Sequence, residues 1–236
     1  MDKSKFYKAV EEAGGKVLSY FRDYYKESAP DGRLCVPLTR AYLLQGADGF
    51  LMEIAREGLG NAVALRREMD QIAARLGELR SEKARKAEAL EKFEENYHVV
   101  NHGVTHHAVK QRERKELERD LEELPKKIEE LMKGLITLLW KGKLGAAYSR
   151  PTVALCDLLQ GQLTGPGKWL LSLNVEGADG HVLAIEMHDG GKLTLFDPDW
   201  AFVSLPNINS LCALIKSLIE GQQNVINGNS VLAKIG

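Results

Sequence analysis

Seven apolar residues recur at alternating spacings of four and three: Leu117, Leu121, Leu124, Ile128, Leu131, Leu135 and Leu138. This is an a/d heptad seam, and it admits little but a long amphipathic helix that needs an apolar partner. A partner lies upstream. Leu65, Met69, Ile72, Leu76, Leu79, Leu90, Phe93 and Tyr97 form a second, less regular seam, broken near Lys83. Asn101-His-Gly-Val-Thr105 separates the two and reads as a turn carrying Gly103. Two seamed helices joined this way bury their stripes on each other as an antiparallel hairpin. Each arm is expected to reach roughly 45–50 Å at the helical rise. Pro125 lacks an N–H and predicts a kink or a break in the second arm.

The flanking sequence has a different grain. Residues 6–25 and 35–55 are helix-like, and Ser28-Ala-Pro-Asp-Gly32 between them is a turn by its proline and Asp-Gly pair. After the hairpin, residues 169–175, 181–187 and 192–196 read as strands. Asp189-Gly-Gly191 is a hairpin turn between the last two, and residues 211–219 are expected to form a closing helix. Helices, an inserted hairpin and then antiparallel strands predict an α+β fold. One domain is expected over 1–60 and 144–236, interrupted by a coiled-coil hairpin over 61–143.

Composition narrows the function classes. The chain has 236 residues, 44% of them hydrophobic, which is enough for a substantial core. Its net charge is −1, so no global basic field points to nucleic acid. Its three cysteines, Cys35, Cys156 and Cys212, form neither a disulfide framework nor a zinc motif. The most apolar stretch near the hairpin, 135–140, is too short for a transmembrane segment. The charged first eight residues lack the apolar core of a classical signal peptide, which leaves export by other signals open.

One constellation can carry chemistry. A thiol enzyme needs a nucleophilic sulfur, an imidazole beside it and a group that orients the imidazole. Cys35 follows the Asp31-Gly32 turn and opens an amphipathic helix through Val36, Leu38, Tyr42 and Leu43. Unpaired N–H groups and the positive end of the helix dipole at that position favour a thiolate, and Arg33 and Arg40 add positive charge. His181 follows the Gly177-Ala-Asp-Gly180 turn and starts a strand; Asp197 ends the next. A hairpin centred near Gly190 brings the start of one strand beside the end of the other. His181 and Asp197 are then expected close to opposite one another, within reach of a carboxylate–imidazole hydrogen bond. Cys156 and Cys212 lie among leucines and alanines and read as core.

These residues carry a resemblance. A nucleophile at the mouth of a helix, Gly180-His181 heading a strand, and Phe196-Asp197-Pro198 ending the next, followed by Trp200, resemble the YopT/AvrPphB-type cysteine proteases. These are papain-fold effectors that bacteria inject into host cells. The likeness spans about 60–70 residues in pieces and leaves out the hairpin. It implies Cys35 as nucleophile, His181 as general base and acid, and Asp197 as orienter, with no cofactor and no metal. It implies a secreted virulence protein, of the type III effector kind, acting on a host protein in the host cytoplasm. Two positions depart from the pattern. Leu34 stands where a small or polar residue usually precedes the nucleophile, and Ala29 stands where papain-like enzymes carry an oxyanion glutamine. The oxyanion hole would then use the Cys35 backbone N–H with Ser28 or Gln45. Relatives of the fold act as proteases, lysine N-acyltransferases and glutamine deamidases, and all three chemistries fit the same triad.

Two other readings compete. His98, His102, His106 and His107 include an i, i+4 pair, but Gly103 and Thr105 disfavour regular helix there and no carboxylate or cysteine completes a zinc set, so a solvated tip is expected. His188 is expected to be exposed beside the Asp189 turn. The hairpin is expected to be a docking arm for a protein partner. Lys110 to Lys115 form a small basic cluster near its tip, interrupted by Glu113, and peripheral membrane association stays open. The rival from another class is a non-catalytic coiled-coil interaction protein on a degenerate papain scaffold. Separations above about 8 Å among Cys35, His181 and Asp197 would favour it, because catalysis needs near hydrogen-bond contact.

Overall fold

The computed structural model describes residues 2–22, 34–99, 104–173, 180–220 and 228–236, with the backbone alone at 96–99 and 104–110. The turn expected at 28–32 lies outside the described residues, as does that at 101–105 but for the backbone of Val104 and Thr105. The chain divides into two compact units: Met1–Arg66 with Leu139–Gly236, and Arg67–Leu138.

In the first unit, α1 (Lys3–Glu12) begins at Asp2, whose carboxylate caps the Lys5 N–H at 2.9 Å. The helix was expected to run to residue 25, but Gly14 takes φ 72° and ends it. The next glycine, Gly15, lies so close to β6 that a Cβ there would fall 2.7 Å from the Leu205 side chain. The chain then turns into β1 (Lys16–Tyr20). Helical periodicity in this stretch gave way to two glycines and strand pairing. α2 (Cys35–Glu57) is bent at Gly46, which has φ 78°.

After the hairpin come β2 (Leu144–Pro151), α5 (Leu155–Gln162), β3 (Gly167–Leu173), β4 (His181–Met187), β5 (Leu193–Asp197), β6 (Ala201–Leu205), α6 (Ile208–Glu220) and β7 (Asn229–Ile235). Among the described residues they form a seven-stranded antiparallel sheet in the order β1-β6-β5-β4-β3-β7-β2. The α+β class expected from the sequence is the observed one: a helix carries the cysteine, and an antiparallel sheet carries the histidine and the aspartate. α6 does not close the chain. β7 follows it and inserts between β3 and β2. Periodicity was silent about β2, since it is an edge strand exposed along nearly its whole length and shows no alternation.

The sheet is covered on both faces. Leu183, Ile185, Leu193, Leu195 and Val203 are fully buried in one core with Phe6 from α1, Leu159 from α5 and Leu211, Leu214 and Ile215 from α6. Against α2 the packing is aromatic. Tyr42 meets Phe196 at 5.1 Å between ring centroids, Phe50 meets Phe196 at 5.1 Å, and Phe196 stacks on Phe202 at 4.5 Å. Each fully buried ring or leucine contributes about 1.5–3 kcal/mol of apolar transfer. Two hydrogen bonds fix α2 on the sheet: Thr39 Oγ1 donates to the Val182 carbonyl at 3.1 Å, and Tyr42 OH donates to Glu186 at 2.9 Å.

The second unit is made from α3 (Gly60–Val99) and α4 (Val104–Trp140). Their 40 and 37 residues give about 60 and 55 Å of helix, longer than expected because each continues past its seam. Leu76, Leu79 and Leu124 are buried, and Leu65, Met69, Ile72, Ile128 and Leu131 are half-buried, so the seams face inward. Cross-helix ion pairs set the register. Lys86 bonds Asp120, and Arg114 lies 3.4 Å from Glu94. The midpoints of these pairs, 103 and 104, fall at the turn read from the sequence. Lys86 and its neighbour Glu82 occupy the gap in the first seam, where polar pairing replaces apolar contact. Pro125 does not break α4. No helix among the described residues is long and apolar enough to cross a membrane.

Candidate active site

The site is built around one tight turn. Asp197 ends β5, and the chain reverses through Pro198 and Asp199 into β6 with Trp200 N–H donating to the Asp197 carbonyl at 3.0 Å. Proline at the second turn position supplies the φ that this turn requires. The Asp199 N–H donates to Asp197 Oδ1 at 2.9 Å, so the turn itself anchors the carboxylate. Phe21 and Arg22 both donate backbone N–H groups to the Trp200 carbonyl, and the Arg22 guanidinium lies 3.6 Å over the Trp200 ring.

His181 opens β4 and donates through Nε2 to Asp197 Oδ1 at 2.9 Å. Its side chain is 21% exposed, while that of Asp197 is 3% exposed. The Cys35 thiol acts on the same ring and favours its protonated form. Burial opposes the imidazolium. The charge and hydrogen bond of Asp197, the bond to Cys35 and the charge of Asp199 outweigh it and hold the His181 pKa well above that of an ordinary histidine. His181 therefore interacts with both of the other residues singled out in the sequence, although Cys35 stands 146 positions from it.

The register differs in one respect from the expectation. Met187 pairs with Leu193 and Ala184 with Phe196. The ladder ends there and β5 ends at Asp197, so the strand pairing sets neither Asp197 nor Asp199 directly opposite His181. Asp197 reaches the ring diagonally, and Asp199 Oδ2 lies 3.6 Å from Nδ1. Sequence reasoning missed Asp199, because Phe196-Asp197-Pro198 drew attention to the first carboxylate. Burial raises the Asp199 pKa; His181 and Arg22 lower it, Asp197 raises it, and the net shift is upward.

The oxyanion candidates are separated. The Cys35 N–H is in the first turn of α2, where backbone donors have no intrahelical acceptor. Ser28 lies outside the described residues, as does Arg33. Gln45 is a correction: it is exposed, bonds Glu53, and stands ten residues along α2 from Cys35, about 15 Å at the helical rise. Arg40 donates to the Leu139 carbonyl in the last turn of α4. Cys212 is buried and Cys156 is half-buried against the same core. Burial and the Cys156 thiol push the Cys212 pKa up to about 12, which disfavours a nucleophilic role. His188 is exposed and bonds Thr194 Oγ1 at 2.8 Å. The side chains of His98, His102, His106 and His107 lie outside the described residues.

His181, Asp197 and Asp199 bring potential ligand atoms within 4.8 Å of one another. Asp197 Oδ1 already accepts from two N–H donors, one of them His181 Nε2. That is the hydrogen bonding of an oriented imidazole.

No protein-family model matches the chain, and no curated protein matches it. Solved structures do. The Pseudomonas avirulence protein AvrPphB is similar at 15% identity and a TM-score of 0.49, over 94% of this chain and 97% of that one. PatoxP, a cysteine protease-like domain of the Photorhabdus asymbiotica toxin PaTox, is similar at 10% identity and a TM-score of 0.48, over 98% of this chain and 57% of that one.

Proposed function

We propose that this protein is a papain-like thiol enzyme whose nucleophile is Cys35, with His181 as general base and acid and Asp197 as orienter. One observation carries the reading: a single imidazole bonded to a buried carboxylate at 2.9 Å and acted on by the thiol of a residue at a helix N-terminus. In the proposed reaction His181 takes the thiol proton and the Cys35 sulfur attacks an acyl carbon. The Cys35 N–H stabilises the oxyanion. His181 then returns the proton to the leaving amine, the C–N bond breaks, and a thioester remains on Cys35. An incoming nucleophile attacks that thioester, gives its proton to His181 and releases the thiolate.

The nature of the leaving group and of the acceptor defines the activity. Peptide cleavage of a host protein, with water as acceptor, is the leading assignment; the motif resemblance supports it. Iodoacetamide at neutral pH should label Cys35 in the folded protein and spare Cys156 and Cys212. Equal labelling of all three thiols, and only after denaturation, would favour the interaction-protein reading. A host lysate treated with wild type and with Cys35→Ala then identifies the chemistry. New N-termini identify a protease, an added acyl mass on lysine an acyltransferase, and +1 Da on glutamine a deamidase.

A further inference from the structure

Asp199 is unexplained by a three-residue site. It is the second carboxylate of the β5–β6 turn, which places it beside His181. Its Oδ2 lies 3.6 Å from His181 Nδ1, the nitrogen that Asp197 does not use. Its Oδ1 is buried and has no hydrogen-bond partner. Leaving a carboxylate oxygen in that state is costly unless nearby positive charge compensates.

The turn that carries Asp199 is rigid. Pro198 precedes it, its own N–H is tied to Asp197 Oδ1, and the Trp200 carbonyl is held by Phe21 and Arg22. The backbone that carries the carboxylate is therefore held beside the ring. The charged and titratable groups that face His181 among the described residues are Cys35 from α2, Asp197 from β5 and Asp199 from the turn. Arg22, stacked on Trp200, acts on Asp199 from the side of β1.

From this geometry we infer that Asp199 is a positioning residue, a second carboxylate beside His181 Nδ1 that keeps the ring protonated when the sulfur carries no charge. The inference deepens the proposed function and rests on it. Its consequence lies in the thioester stage. With the sulfur acylated, no thiolate acts on the ring, and Asp199 is the anion left beside Nδ1. It holds the imidazolium, while attack by an incoming nucleophile requires the neutral ring. Asp199 thus delays the release step until the pH is higher.

The test uses the full chain. His181 is titrated by NMR in Cys35→Ala, and again in Cys35→Ala with Asp199→Asn or Asp199→Glu. The Asn variant keeps the turn chemistry and removes the charge; the Glu variant restores the charge. The His181 pKa is expected to fall by about one pH unit with Asn and to recover with Glu, as for loss of an opposite charge within 4–6 Å. In parallel, the pH profile of Cys35 alkylation by iodoacetamide is measured with and without Asp199→Asn, and its midpoint is expected to move to lower pH. Selective alkylation of Cys35 together with unchanged titration and an unchanged profile would overturn the role of Asp199 and leave the proposed function standing. Absence of selective alkylation with Asp199 intact would overturn the proposed function itself. If Asp199→Asn fails to fold, Asp199→Ser in the same comparison gives the same two outcomes.

Discussion

The two units of this chain are stabilised differently. The sheet unit buries Leu183, Leu193 and Leu195 completely and adds an aromatic layer of Tyr42, Phe50, Phe196 and Phe202 under α2. Within the hairpin unit, Leu76, Leu79 and Leu124 are the buried hydrophobic side chains among the described residues, and cross-helix ion pairs complete the contact. A close-packed interior holds side chains to fractions of an ångström, as an oriented imidazole requires. A two-helix seam with charged outer faces cannot impose that order, but it tolerates change on its surface. The candidate chemistry sits in the first unit.

Substitutions can break this comparison. Cys35→Ser is expected to lower acyl transfer by on the order of 10³-fold or more, as for loss of a nucleophile in a coupled set, while Leu124→Ala leaves Cys35 alkylation unchanged. A loss of alkylation in Leu124→Ala would mean that the hairpin organises the site. Next comes core truncation. Leu183→Ala should destabilise the sheet unit by about 3–5 kcal/mol in urea unfolding, and Leu124→Ala should cost about 2–3 kcal/mol, confined to the hairpin in hydrogen exchange. Equal costs with a single shared transition would show the two units to be one cooperative block.

A smaller effect is set by pH. The His181 pKa is raised by folding, so its contribution to stability is fully present below the ordinary value of 6.5 and is lost as the pH rises through the folded value. Chemical denaturation should show this decline for the wild type, and His181→Gln should flatten it. A decline that survives in His181→Gln would assign it to another group. The smallest change is expected for Lys86→Ala in the hairpin. Its melting temperature should fall by about a degree or two at low salt and by less in 0.5 M salt, because a pair that solvent still reaches is screened. A larger, salt-independent loss would make the Lys86–Asp120 pair a determinant of the hairpin and not a patch in its seam.

Much of this could be read from residues alone, for a local reason. Heptad spacing specifies one face of a helix, so Leu76, Leu79 and Leu124 were identifiable before any coordinates. The Asp189-Gly-Gly191 turn fixes a hairpin, and with it the approach of His181 to Asp197. Where the reading failed, the deciding contacts were distant. The strand at 16–20 depends on pairing with β6, nearly two hundred positions away, and on two glycines that stop α1. β7 occupies an interior place in the sheet although it comes last in the chain.

The sequence by itself determined the hairpin, the α+β class and the histidine–aspartate pair, because side-chain period and turn chemistry act over a few residues. Only the tertiary structure decided that the Cys35 helix end meets His181, that Gln45 lies far along that helix, and that Asp199 faces the ring. Those outcomes depend on how α2 packs across the sheet and on the hydrogen-bond ladder of β4 and β5. Packing and strand register are properties of the assembled core, where many weak long-range contacts are satisfied together, and no short stretch of residues contains them.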